Sequence, residues 1–380
     1  MREKETGREW GRQREPHVFT YSTMGLLNNL QTTVTYVAGG VATLMCAGLV
    51  LVVAMQEKLL YVPRIPGVPA GYIGNPRDFG IEDYEDIWLS TQDGESLHAW
   101  MLFHPKNKAN LLRVSNANTG GTLEPTTPTV LFFQENAGNI SHRLEFARLL
   151  MNVASVNVML LSYRGYGRSS GAPSEEGLVL DAQAAVEHLR QRTDIDSDKI
   201  FLFGRSLGGA VAIAIAERMQ RKGDAVDGSS GPGAKRDSVQ EERAIHARGH
   251  GTIKGVILEN TFTCIADMVM KVMPLLGPLV GRNRPLHFLL RNKWDSDRRI
   301  AQLTMPVLFI VGEQDELVPP AHMHRLHELL PETNGTYTCS NKTLIRIMDG
   351  KHMSTWISGK RTYWQAIQNF VSPPAAAQPF

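Results

Sequence analysis

The chain is poor in cysteine, carries almost no net charge, and has no Cys/His pairing at metal-site spacing. Three cysteines in 380 residues, Cys46, Cys264 and Cys339, are too few for a disulfide framework. Cys46 lies in an apolar run where no partner is expected, so Cys264 with Cys339 is the one pairing to consider. Forty basic against 38 acidic residues leave a net charge of +2. Nothing global therefore calls for nucleic acid or an anionic surface, and nucleic acid is set aside as a partner. His246 and His250 stand four apart, but in a Gly- and charge-rich stretch that reads as a solvated loop. No metal or other cofactor is expected.

A more informative scarcity lies near the N-terminus. From Val18 to Gln56 there is no Asp, Glu, Lys or Arg, and Val34 to Met55 is dominated by Val, Ala, Leu, Met and Gly. About 20 such residues span a bilayer core. A cleaved signal peptide would have a shorter apolar region, although Val52-Val53-Ala54 resembles a weak cleavage site, and a buried helix is the third reading. The favoured expectation is a retained transmembrane anchor over 33–55, after a polar tail over 1–32. Charge alone does not orient it: Arg2, Lys4, Arg8, Arg12 and Arg14 lie mostly too far on one side, while Lys58 and Arg64 lie close on the other. Two sequons, Asn334-Gly335-Thr336 and Asn341-Lys342-Thr343, favour a lumenal or external C-terminal part. Asn139-Ile140-Ser141 also fits but falls in a candidate site loop and is discounted.

A linker over 56–85 leads to a large domain over 86–371, with a tail over 372–380. Asp86 to Phe103 reads as a hairpin around Gln92-Asp93-Gly94-Glu95. Thr129 to Phe133 is a continuous apolar run of the kind buried in a parallel sheet. Helix and strand then alternate: a helix through Leu144 and Leu149, a strand over Val156 to Leu161, and a helix through Leu178, Ala182, Ala185 and Leu189. Further strands are expected at Lys199 to Phe203, Val256 to Leu258, Pro306 to Val311 and Leu344 to Ile347, with a closing helix from Thr355 to Phe370. The region 223–251 reads as a disordered surface insertion and 263–302 as a small helical cap. The alternation implies an α/β fold, a mostly parallel sheet with helices on both faces. Its site belongs at the carboxyl ends of the strands.

Gly204-Arg205-Ser206-Leu207-Gly208-Gly209 stands between the apolar run ending at Phe203 and an Ala-rich helix, the layout of a nucleophile elbow. A serine hydroxyl needs an imidazole to take its proton and a carboxylate to fix the ring's tautomer. In this layout they follow as acid, then His. Asp315, in the loop after the Pro306–Val311 strand, is the expected acid, with Glu313, Glu316 and the more distant Glu259 as competitors. His352, after the last strand, is the expected base; His322, His324 and His327 sit at helical spacing, and Asp349 reads as a turn residue. The oxyanion would be held by the Leu207 N–H and by one from Gln134 to Asn139, where Asn136 is preferred over Glu135 and Ala137. Arg164-Gly165-Tyr166-Gly167-Arg168 lacks a full phosphate-binding pattern and reads as a tight connection.

Asn136-Ala137-Gly138-Asn139, Tyr163-Arg164-Gly165-Tyr166-Gly167, Gly204 to Gly209, Glu259-Asn260-Thr261-Phe262 and Asp315-Glu316-Leu317-Val318-Pro319-Pro320 together resemble the bud-emergence (Bem-type) branch of the α/β-hydrolase-domain proteins, single-pass membrane serine hydrolases. The resemblance runs from the anchor to near Phe370. It implies an α/β-hydrolase fold and type II topology in the endoplasmic reticulum, another endomembrane or the plasma membrane. Gln134-Glu135 stands where many relatives open the oxyanion loop with His-Gly, and Met353 stands where relatives often carry Asn.

The apolar stretch Ala266 to Leu290, with Met268, Met270 and Met273, suits either an acyl-chain pocket or an ordinary core helix. Two classes of function follow. One is a serine acyl hydrolase acting on a lipid ester or acylated protein, with peptides as the other substrate class. The rival is a catalytically silent membrane-tethered scaffold.

Overall fold

The computed structural model describes residues 18–65, 67–68, 71–106, 126–228, 253–274, 276–332 and 341–373. The chain falls into two units, Met1–Gln56 and Glu57–Phe380. The first contains a helix, Val18–Ala54, that starts well before residue 33. Its 30 residues Gly25–Ala54 are apolar and long enough to cross a membrane. At 1.5 Å per residue they reach ~45 Å, beyond the ~30 Å of a hydrocarbon core.

The second unit is an α/β-hydrolase fold built on eight strands: β1 (Tyr84–Ser90), β2 (Ser96–Leu102), β3 (Thr129–Phe133), β4 (Asn157–Leu161), β5 (Ile200–Arg205), β6 (Ile253–Glu259), β7 (Val307–Gly312) and β8 (Lys342–Ile347). They lie in the order β1-β2-β4-β3-β5-β6-β7-β8. Only the β1–β2 and β2–β4 pairs are antiparallel. The hairpin turns where Asp93-Gly94 predicts it, with Gly94 at φ +89°. Strands β3 and β5 lie side by side although β4 separates them in the chain. The chain leaves β3 outward in one direction and resumes at β5 in the other, which opens a crevice at their carboxyl ends.

The continuous apolar runs of the inner strands follow from burial on both faces. Leu131 and Phe133 of β3 join Leu202 of β5 in one apolar layer, while Val130, Phe132, Phe201 and Phe203 join the other. The helices Glu175–Gln191 and Leu207–Gly228 cover the first layer. Leu144–Ala154 and Lys360–Val371 cover the second.

Two helix boundaries within the second unit differ from expectation. The helix after Ser206 continues past Gly223 to Gly228, and the rest of the expected insertion, 229–251, lies outside the described residues. The closing helix is broken into Thr355–Ser358 and Lys360–Val371, because Lys360 takes a left-handed φ of +43°. Between β6 and β7 the expected cap contains the helices Ile265–Val272, Gly277–Val280 and Ser296–Ile300 and a 3₁₀ turn, His287–Leu289. Met268 is half-buried against the sheet core, and Met270 lies across Gly277.

Candidate active site

The turn after β5 is fixed by close backbone approach. A Cβ on Gly204 would lie 2.2 Å from the Gly208 carbonyl oxygen, and one on Gly208 only 2.0 Å from the Phe133 carbonyl oxygen. No other residue leaves room for the helix to start so tightly against β3 and β5. Between them Ser206 is held at φ +54°, a left-handed conformation costly for a serine. The fold over-determines it: the Ser206 N–H donates to the Glu259 carbonyl at 2.9 Å, and Thr261 Oγ1 donates to the Ser206 carbonyl at 2.7 Å.

Three side chains separated widely in sequence meet at the carboxyl ends of β5, β7 and β8. His352 Nε2 lies 3.0 Å from Ser206 Oγ, and His352 Nδ1 lies 2.7 Å from Asp315 Oδ2. Asp315 Oδ1 accepts from the Leu317 and Val318 N–H groups at 2.9 and 2.8 Å, which orients the carboxylate. A carboxylate on Nδ1 selects the tautomer whose Nε2 lone pair faces the serine. Behind them Asn260, at φ +49°, donates from Nδ2 to the His352 carbonyl at 3.2 Å and to Thr355 Oγ1 at 2.8 Å, while its Oδ1 accepts from the Gly312 N–H at 2.8 Å. One side chain thus braces the loops after β6, β7 and β8.

The other candidates are occupied elsewhere. Glu313 pairs with Arg346 and His324, Glu316 accepts from the His352 N–H at 3.4 Å, and Glu259 is buried against Arg205 and Tyr363. His322 shares a 2.8 Å hydrogen bond with Thr263, and His327 packs edge-on against Phe309. Arg164 grips Asp93 and Asp181, which accounts for its loop without an anion.

Of the two expected oxyanion donors, Leu207 opens the helix Leu207–Gly228, so its N–H is among those with no acceptor inside the helix. Asn136 stands in the loop after β3. Its side chain is held by three hydrogen bonds: Oδ1 accepts from the Val62 N–H at 3.2 Å and from Tyr166 OH at 2.8 Å, and Nδ2 donates to the Leu60 carbonyl at 2.6 Å. Glu135, the unexpected residue in this loop, turns into the protein and is 3% exposed. Its carboxylate meets Arg205 at 2.9 Å and Arg143 at 2.6 Å. Burial pushes its pKa up, but the two arginine charges outweigh burial and hold the carboxyl below the ordinary glutamate range. Its negative charge is thus taken up by two buried cations.

The structure also bears on cysteine and glycosylation. Cys264 is a free, buried thiol whose Sγ accepts from Arg282 Nη2 at 2.8 Å, and burial raises its pKa to about 11. Cys339, Asn334, His246 and His250 lie outside the described residues. Asn341 is 2% exposed and donates to the Pro331 carbonyl at 3.0 Å, so the folded domain does not present this sequon. Among the described residues no group of three or more His, Cys, Asp or Glu could hold a metal.

Sequence reasoning passed over Thr261, Asn260 and the Arg205–Glu135 pair as site components. The run Glu259-Asn260-Thr261 was visible, but only strand order shows that it lies beside Ser206.

Comparison with known proteins agrees with this architecture. A family model described as "Serine aminopeptidase, S33" matches residues 135–237. The chain is 38% identical over 347 residues to the alpha/beta hydrolase domain-containing protein WAV2 of Arabidopsis thaliana, covering 89% of this chain and 95% of that one. It is 33% identical over 269 residues to protein bem46 of Schizosaccharomyces pombe, with 70% and 72% covered. It is 32% identical over 335 residues to an uncharacterized membrane protein of Saccharomyces cerevisiae, with 88% and 94% covered. A solved esterase of Pyrococcus furiosus shares the fold, with a TM-score of 0.54 at 17% identity over 82% of this chain and 95% of that one. The chain belongs to the Bem46/WAV2 family of α/β-hydrolase-domain proteins.

Proposed function

We propose that this protein is a membrane-anchored serine hydrolase that cleaves an acyl ester or thioester through an acyl-enzyme on Ser206. The observation that carries the reading is the continuous chain Ser206 Oγ, His352 Nε2, Asp315 Oδ2, with links of 3.0 and 2.7 Å. Ser206 attacks the acyl carbon as His352 takes its proton. The negative charge that develops on the carbonyl oxygen is received by the Leu207 and Asn136 N–H groups. His352 then returns the proton to the leaving oxygen or sulfur, and a water activated in the same way releases the acid. Asp315 keeps the ring oriented and stabilises the imidazolium.

Fluorophosphonate labelling tests the nucleophile: the wild type should be labelled and Ser206→Ala should not. Absence of wild-type labelling, or equal labelling of both, leaves the scaffold reading instead. The serine aminopeptidase description of the matching family model favours amides as the second substrate class. Turnover of p-nitrophenyl esters, palmitoyl thioesters and dipeptidyl amides separates the two, and turnover of amides alone would overturn the esterase reading.

The length and composition of Gly25–Ala54 support a single membrane span. Retention in the membrane pellet after alkaline carbonate is the expected result, and release refutes the anchor. For a type II protein in an endomembrane or the plasma membrane, a glycan is expected on Asn334 rather than on the buried Asn341. Endoglycosidase treatment should then change the mobility of the wild type and not of Asn334→Gln.

A further inference from the structure

The two candidate oxyanion donors sit on different elements, Asn136 after β3 and Leu207 at the start of a helix after β5. A hole of this kind works only if the donors are fixed before charge develops, because a donor that must reorient loses much of its advantage. Behind them runs a buried ionic chain. Arg205 immediately precedes Ser206; its Nη1 lies 2.9 Å from Glu135 Oε1 and its Nε 2.8 Å from Glu259 Oε2. Glu135 Oε2 lies 2.6 Å from Arg143 Nε, and Arg143 Nη2 donates to the Ala137 carbonyl at 2.5 Å. Tyr363 OH adds a 2.7 Å bond to Glu259, and the Arg205 guanidinium lies 4.2 Å from the Phe146 ring centre. Asn136 therefore has a neighbour on each side tied into this chain: Glu135 through its carboxylate and Ala137 through its carbonyl.

Such a chain is a poor device for stability alone. Four charged side chains are at most 6% exposed, and desolvating them offsets much of their mutual attraction. An apolar cluster of the same volume would often serve as well. What apolar packing would not supply is a directed link between the loop after β3 and the residue before the nucleophile.

We infer that Glu135 is a positioning residue, which through Arg205 and Arg143 locks the Asn136 N–H into register with the Leu207 N–H so that both meet one oxyanion. This rests on the serine hydrolase reading above and adds how its hole is held. Glu135 touches no substrate; it acts through the backbone on either side of Asn136.

The test compares full-length wild type with Glu135→Gln, which keeps shape and removes the charge. Fluorophosphonate titration first counts active sites, so that all rates are per competent serine. The expected result is a fall in kcat of about 10- to 100-fold, somewhat less than the ~100- to 1,000-fold cost of deleting an oxyanion donor, with KM little changed. Affinity for a trifluoromethyl ketone, which forms the tetrahedral oxyanion, should fall by the same factor as kcat/KM. Glu135→Asp, which retains the charge, should recover part of the loss. If Glu135→Gln does not accumulate as folded protein, Arg143→Lys, which keeps the charge but loses the bond to Ala137, is put through the same measurements. Unchanged kcat and unchanged ketone affinity per titrated site would overturn the inference while leaving the hydrolase reading intact. A wild type that titrates no serine would instead remove the reading on which it rests.

Discussion

Thr261 Oγ1 donates to the carbonyl oxygen of Ser206 at 2.7 Å, so the strained peptide of the turn is held from the loop after β6. Thr261 is fully buried, and its side chain also fills the space beside Gly209, where an added Cβ would lie 2.4 Å from Thr261 Cβ. Thr261→Val preserves the shape and leaves the Ser206 carbonyl without this donor. The expected cost is about 1–3 kcal/mol, read from urea unfolding. Turnover should fall as well, since the turn no longer holds Ser206 from that side.

Gly208→Ala should be far more damaging. The new methyl would meet the Phe133 carbonyl oxygen at 2.0 Å; that neighbour is backbone and a Cβ is fixed to its own backbone, so neither yields without moving β3 or the helix. A loss of at least about 3 kcal/mol is expected, at the upper end for overpacking. Soluble expression and the midpoint of thermal unfolding check it; a melting temperature like that of the wild type would contradict the backbone geometry.

Asp315→Asn tests the proposed tautomer control. An amide can donate to His352 Nδ1, which would place the ring proton on Nε2 and leave no lone pair for the Ser206 hydroxyl. A roughly ten-thousandfold fall in kcat is expected, with KM little altered. Steady-state kinetics on whichever of the esters, thioesters or amides named above is turned over measures it. A loss below about tenfold would mean that Asp315 is not the carboxylate that sets the ring.

Acid stability has one identifiable contributor in the hairpin turn. The Arg164 guanidinium, 2.6 Å from Asp93 Oδ2, holds the Asp93 carboxyl well below the usual range. A depressed carboxyl contributes stability above the unfolded pKa of about 3.9, and that stability is lost as pH falls through the folded value. Asp93→Asn should therefore lower the melting temperature at neutral pH and flatten its decline below about pH 4. Melts from pH 2 to 7 would show it, and parallel curves for the two proteins would rule it out.

Much of the fold was legible because the signals are local. Continuous apolar runs mark β3, β5 and β7 since both faces of a central parallel strand are buried. The Asp93-Gly94 turn sets the hairpin by its own backbone chemistry. The broken closing helix was not legible, because it turns on tertiary packing: Tyr363 and Ile347 close on Gly359, where an added Cβ would lie 2.7 Å from Tyr363 Cβ, and the next residue, Lys360, is left-handed. The depth of Asn341 was equally hidden: a sequon is three residues long, while burial depends on how the segment before β8 meets Pro331.

By itself the sequence determined the turn around Ser206, the order of serine, acid and histidine, and the charge-free helix before Glu57, since each depends on residue type over a few neighbouring positions. The tertiary structure alone decided which acid reaches His352, that His352 and Ser206 meet across 146 residues, and that Glu135 turns inward to Arg205 across 70. Those pairings follow from strand order. Side-chain reach is only a few ångströms, and it is the placement of β3, β5, β6, β7 and β8 side by side that brings their carboxyl ends within it.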